Sequence, residues 1–499
     1  MIASPPLPRF YYLPDEFCIT LLSETARQVD AAIAQLSERL SSIDERLSFK
    51  RSPVTLALGE QALTTLTLRL GAEGSDTPPA AQRRAVEVRA LVNQLNTQRR
   101  DWATNLPGVI IAAALPNFLT MAAQNGYTGG GSGSSPEPID PSLGQDHTFG
   151  RFSFPKDAAL DALVAAQRKA SPQHHPVTVA ILDSWPAKAP TGASWLVDQV
   201  LPSGMNYQIK LEHLPHSPIA DHGLFVAGII NDIAPAARLH AIRVLDDYCV
   251  GTWSDLQEGL AKLQSLEGHL VVNLSLGFLP TEDLQQMERE FAPALELGKV
   301  FFAQPGVATD ATAREGERHL FRAIMYATFA ALTTRDKTLL IASVGNDARP
   351  HEARPDPEFP ARYDSLLSVA AIDAAEMASA FSNRGDIANT PLNGIAVLGG
   401  NTVAIGSTTI ATIPGSVKKK DAVVGLYSAA FPGYHRAGWA YWAGTSFAAP
   451  IISGLAANIW ANDPLQTAAE VKQTILDHGQ GAVADLGCKY ITAVQDIQE

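Results

Sequence analysis

Residues 177–183 read VTVAILD, an unbroken aliphatic and β-branched run that closes on a carboxylate. It lacks the polar alternation of a half-exposed strand, so it predicts a strand buried on both faces. Leu239 to Val244, Leu270 to Leu274 and Leu339 to Val344 read the same way. Helix-length segments separate these runs. The alternation predicts an α/β fold built on a mainly parallel sheet with helices on both faces. Reactive residues in such folds collect at the carboxyl ends of the strands. Asp183 stands at such an end.

Two further stretches complement it. Residues 443–458, AGTSFAAPIISGLAAN, place Ser446 behind a tight Gly444-Thr445 entry. Phe447, Ala448 and Ala449 are expected to open a helix of small residues, with Pro450 in its first turn. A serine hydroxyl at a helix N-terminus meets backbone N–H groups that favour negative charge, as an oxyanion requires. Residues 221–230, DHGLFVAGII, put His222 at the start of another helix. Singly, Asp183 reads equally well as a structural strand cap and His222 as a structural histidine. Together they supply a nucleophile, a base to take its proton, and a carboxylate to hold the base's tautomer.

The chain order is Asp183, His222, Ser446, the order of subtilisin and not of chymotrypsin or the α/β-hydrolases. Residues from about 175 to 480 resemble the subtilase family of serine peptidases. The likeness extends to IAPAARLHAIRVLDD (233–247), NLSLG (273–277), IASVGND (341–347), FPARYDSLLSVAAID (359–373) and SAFSNRGD (379–386). It implies a three-layer fold of subtilisin type and a serine endopeptidase that needs no cofactor. In it, Asn346 and the Ser446 backbone N–H would bind the oxyanion. Ser275, Leu276 and Gly277 would form one wall of the substrate cleft, and Gly251 would belong to the opposite wall. Trp185 stands where the family usually has glycine. Leu224 and Phe225 replace its usual Thr-His. Leu276, Trp185 and Phe225 suggest an apolar or restricted specificity pocket.

Three zones organise the chain. In residues 1–125, Leu22, Ala26, Val29, Ile33, Leu36, Leu40, Ile43 and Leu47 fall at alternating steps of four and three, a heptad seam. A second helical stretch, about 80 to 106, carries Val88, Val92, Leu95 and Trp102 on one side. Val54, Leu56 and Leu58, then Leu66, Leu68 and Leu70, alternate as short strands do. The zone reads as a mainly helical module, either a coiled-coil surface for a regulatory partner or self-association, or a helical hairpin closed on itself. Residues 126–149, with GGGSGSSPEPID at 129–140, read as a flexible linker. Residues 150–499 read as the catalytic domain, with a helical insertion near 280–335 that serves as surface decoration or as a lid. Residues 399–434 read as loops or a hairpin.

Composition narrows the class. Hydrophobic residues make up 46% and charged residues 18% of the 499, which suits a globular protein of about two or three domains. A net charge of −13 argues against nucleic acid and anionic membrane as partners, leaving a protein or peptide substrate. The basic run Lys418 to Lys420 reads as a solvated loop. No basic start followed by a long apolar run opens the chain, which leads to the expectation of a cytoplasmic protein. Three cysteines do not make a disulfide framework, and Cys249 reads as a small buried hydrophobe. HEAR at 351–354 lacks the second histidine of a zinc-protease helix, no calcium loop is recognisable, and no metal is assigned. A catalytically silent scaffold that acts by binding is the rival reading.

Overall fold

The structure is a computed structural model that describes residues 12–71, 78–104, 106, 108–122, 136–138, 150–170, 176–185, 219–246, 249–278, 311–348, 351–387, 393–401, 421–427 and 439–496. The chain divides into two compact units. One comprises residues 1–120, 251–266 and 279–335, the other 121–250, 267–278 and 336–499.

The first unit corrects the expectation of a mainly helical module. It is built on an antiparallel sheet. Strand Gln61–Leu70 pairs with Tyr12–Ser23, which in turn pairs with Val109–Ala122. Leu47–Phe49 and Val54–Leu58 pair with the other edge of Gln61–Leu70. A tight turn at Gly59, with φ +64°, joins Val54–Leu58 to Gln61–Leu70. The helices Ala26–Ile43 and Pro78–Thr97 pack on the sheet. The first helix is started by a capping box, in which Thr25 N–H donates to Gln28 Oε1 at 3.0 Å.

The heptad seam was half right. Val29, Leu36 and Leu40 are buried with Phe17, Ile19, Leu66 and Leu68, so the seam faces the unit's own sheet and not a second coil. Leu22 and Leu47 belong to strands, and Ile43 is exposed. Val88, Val92, Leu95 and Trp102 close the same core. The sequence conceals strands Tyr12–Ser23 and Val109–Ala122. Each carries an interior proline, and the second has an alanine-rich middle that favours helix. Pairing with a neighbour overrides those local preferences.

The same unit includes residues 251–266 and 279–335, chain expected in the catalytic zone. Helix Trp253–Leu263 is tied to the N-terminal strands. Arg51 donates to Asp255 at 2.6 Å and to Glu258 at 3.1 Å. Asn117 exchanges two hydrogen bonds with Ser254, and Gln264 pairs with both backbone groups of Ala57. Helix Ala311–Thr333 contains the expected stretch 313–332, and its Phe321 stacks on Phe118 and Trp253. The expected helix at 282–297 lies outside the described residues.

The second unit carries the predicted α/β sheet. Its eight strands run in the order Gln480–Val483, Cys488–Tyr490, Gly394–Leu398, Leu367–Ile372, Thr338–Ser343, His269–Leu274, Val177–Asp183 and Arg238–Arg243. All neighbours are parallel except the first pair. Every residue of Val177–Asp183 and His269–Leu274 is buried, as strands covered on both faces require. Strand Val423–Leu426 pairs antiparallel with Trp439–Trp442, giving the 399–434 segment one arm of a hairpin. Glu137 and Pro138 add to that pair, so the linker is held at this point; most of it lies outside the described residues. Among the described residues, no helix is long and apolar enough to cross a membrane.

The Arg51 guanidinium is nearly buried, with a side chain 8% exposed, and its partner Asp255 is buried more deeply. Breaking a buried pair by removing one partner costs about 3–5 kcal/mol. Arg51→Met is therefore expected to lower stability by about that amount in urea unfolding of the full chain. A loss below about 1 kcal/mol would show that this clamp is only superficial.

Candidate active site

Asp183 is the last residue of its strand and is buried. Its Oδ1 accepts hydrogen bonds from His222 Nδ1 and from the Ser184 N–H, both at 2.7 Å. His222 is the first residue of helix His222–Ile233. This pairing needs the helix start to press against the strand end, and Gly223 permits it. A Cβ at 223 would collide with the Ser184 carbonyl and lie 3.0 Å from Asp183 Cβ. Ser184 secures the junction, its hydroxyl donating to the Ala220 carbonyl at 3.0 Å.

The imidazole lies among aromatic rings. Its centroid is 5.3 Å from that of Phe447 and 5.7 Å from that of Trp442. Phe225 stacks on both rings. The expectation that Phe225 and Trp185 form pocket walls is therefore corrected. Phe225 supports the histidine from within the core, and Trp185 is buried in the same cluster. Nδ1 is committed to Asp183, while His222 Nε2 is buried and makes no hydrogen bond.

Ser446 follows Thr445 at the start of helix Thr445–Asn462, behind Gly444. Pro450 stands four residues after Ser446, beyond the first turn expected for it. It has no N–H to give the Ser446 carbonyl. Ser275 replaces that bond, its hydroxyl donating to the Ser446 carbonyl at 2.7 Å. Asn273 Nδ2 donates to the same hydroxyl oxygen at 2.9 Å, and Ser453 donates to Asn273 Oδ1 at 3.0 Å. Asn273 and Ser453 were not singled out in the sequence. A polar residue inside the apolar strand LVVNL was the available signal.

Asn346 follows Gly345, whose φ of +99° turns the chain after strand Thr338–Ser343. Its Oδ1 accepts the Thr445 N–H at 2.9 Å, which fixes the amide's orientation. Nδ2 then points away, buried and without a hydrogen bond. Asn383 holds this loop by bonds to Asp347 N–H, Asp347 Oδ2 and the Val344 carbonyl. The structure thus gathers Asp183, His222, Asn346, Ser275 and Ser446. It also leaves His222 Nε2 and Asn346 Nδ2, and with them Asp183 Oδ2 and Thr445 Oγ1, buried and without hydrogen-bond partners.

Leu276 and Gly277 form a short strand. That strand is already paired. Leu276 lies opposite Ala122 and Gly277 opposite Met121, in antiparallel register, and Ala122 N–H donates to the Cys249 carbonyl at 3.0 Å. Gly251 is the middle residue of strand Val250–Thr252. No group of three or more potential metal ligands occurs among the described residues.

If Ser275 stands in for the bond that Pro450 cannot make, Ser275→Ala leaves a buried carbonyl unsatisfied at a cost of about 1–3 kcal/mol. In a Pro450→Ala background the restored N–H takes over and that cost falls. Denaturant unfolding of the two single variants and the double variant reads the coupling. Strict additivity would contradict the assignment.

No curated protein sequence matches the chain. Residues 205–489, more than half of it, match the peptidase S8 family, described as the subtilase family. The match includes His222, Ser275 to Gly277, Asn346 and Ser446 and begins after Asp183, which geometry alone brings to the site. The chain belongs to the subtilase family.

Proposed function

We propose that this protein is a serine endopeptidase that hydrolyses peptide bonds through an acyl-enzyme on Ser446. Subtilases are serine peptidases, and a peptidase acts on proteins or peptides. The observation that carries the specific reading is the pair of unpartnered buried atoms, His222 Nε2 and Asn346 Nδ2, beside Ser446.

In this mechanism Ser446 Oγ bonds to the scissile carbonyl carbon and its proton passes to His222 Nε2. Asp183 holds Nδ1–H and stabilises the imidazolium. The carbonyl oxygen becomes an oxyanion, and Asn346 Nδ2 and the Ser446 N–H donate to it. Losing one such donor costs on the order of 10²–10³ in kcat. His222 then protonates the leaving amine as the C–N bond breaks. Water repeats the sequence on the ester and releases the acid. Apo sites often hold the Ser–His contact open until substrate binds, which accommodates a Ser446 hydroxyl that lies 3.5 Å from the Ser275 carbonyl.

The reading extends to control. An extended substrate would add as a strand to Leu276–Gly277. Met121 and Ala122 already occupy that edge, so the chain holds its own cleft until this segment leaves. Buried seam residues of helix Ala26–Ile43 leave the proposed partner-binding role of residues 1–125 without an open coiled-coil face.

Two measurements follow. A fluorophosphonate probe is expected to label the full-length protein at Ser446, identified by peptide mass mapping, and Ser446→Ala to abolish labelling. Unchanged labelling of that variant would sink the assignment, and no labelling under any condition would favour the silent scaffold. Ala122→Pro removes the N–H that bonds Cys249 and is expected to speed labelling several-fold, a net hydrogen bond being worth about 0.5–1.5 kcal/mol. A slower or equal rate would show that the segment does not guard the cleft.

A further inference from the structure

Glu358 has no role in the mechanism, yet it is buried against the residues that perform it. Its N–H donates to the Val344 carbonyl at 2.9 Å, and the next residue's carbonyl accepts the Phe278 N–H at 2.9 Å. Glu358 is therefore stitched between the loop that carries Asn346 and the strand that contains Leu276 and Gly277. Its side chain fills the seam between them. A Cβ on Gly277 would collide with Glu358 Oε2, and a Cβ on Gly345 would lie 2.7 Å from its Cδ. Glycine at both places gives the carboxyl its room.

The carboxyl is poorly provided for. Oε1 is buried and has no hydrogen-bond partner. Burial, then the neighbouring Asp347 carboxylate, push its pKa well above the usual carboxylate range. The Glu358 and Asp347 side chains are joined by a hydrogen bond, and the pair still holds a negative charge that a positive group would offset. A bound cation would favour the ionised form and satisfy Oε1 together.

Position says where such a cation comes from. Asn346 is assigned to the oxygen of the scissile carbonyl. The side chain on the N-terminal side of the scissile bond projects one atom away from that carbonyl. It therefore falls beside the neighbours of Asn346, between Gly345–Asp347 and the Leu276–Gly277 strand, where Glu358 stands. We infer that Glu358, with Asp347, determines specificity by receiving a lysine or arginine side chain from the residue on the N-terminal side of the cleaved bond. This rests on the serine endopeptidase reading and replaces the apolar pocket expected from Leu276, Trp185 and Phe225. Gly277 and Gly345 add no side chains of their own to the path of the aliphatic stem, and the acid would meet the charged head, as with other buried carboxylate–cation pairs.

The test is a peptide library varied only at that residue and cleaved by the full-length protein, with fluorophosphonate labelling of Ser446 run alongside. Lysine and arginine peptides are expected to show kcat/KM at least about tenfold above leucine and alanine peptides. Glu358→Gln is expected to collapse the lysine-to-leucine ratio by about tenfold or more. Because the ratio is taken within one variant, a change in overall activity cancels. Should that variant fail to fold, Asp347→Asn is read the same way and is expected to lower the ratio. Labelled, active enzyme that prefers leucine, phenylalanine or alanine would overturn the inference and leave the endopeptidase intact. So would ratios unchanged in both variants. Absence of both cleavage and labelling would remove the endopeptidase reading, and this inference with it.

Discussion

The hydrogen bond between His222 Nδ1 and Asp183 Oδ1 sets the terms for the rest of the site. It joins the end of a central strand to the start of a helix, and both ends are buried. Such a bond fixes the imidazole's tautomer and rotation only if the helix start approaches the strand end closely. Gly223 makes the approach sterically possible, Ser184 ties the junction, and Trp442 and Phe447 pack against the ring with Phe225 behind them. With Nδ1 engaged, the direction of Nε2 follows.

The serine is placed by a separate set of constraints. Asn346 takes the first N–H of its helix, and Ser275 takes the carbonyl that Pro450 leaves without a donor. Both anchors come from carboxyl ends of neighbouring parallel strands. Strand order therefore decides the geometry: His269–Leu274 lies between Val177–Asp183 and Thr338–Ser343, and each of the three hands one group to the site.

Much of this was legible beforehand, for physical reasons. Buried parallel strands are continuous apolar runs, so VTVAILD announced both the sheet and the acid at its end. The serine's helix was recognisable by its small residues, though it begins at Thr445, ahead of the residues read as its opening. What could not be read depended on partners distant in sequence. Tyr12–Ser23 and Val109–Ala122 are strands because they pair with each other, against prolines and an alanine run. The periodic seam of Ala26–Ile43 was visible, but a period does not say whether a sheet or another helix covers it. Phe225 looked like a cleft wall because it follows His222 by three residues; helical geometry turns it into the core. Glu358 was passed over because one acid before an aromatic-proline pair carries no pattern, and only the fold sets it against two glycines.

In the proposed reading, residues 121 and 122 cover the edge of the Leu276–Gly277 strand where an extended substrate would add, and an acidic pocket for basic side chains is inferred beside it. The most direct test of the central claim is a stopped-flow reaction with p-nitrophenyl acetate, small enough to reach the serine without the strand edge. The account predicts a burst of nitrophenol of about one equivalent per chain, with an acetyl group recovered on Ser446, the signature of an acyl-enzyme. Linear release without a burst, or an acetyl group on any other residue, would contradict it.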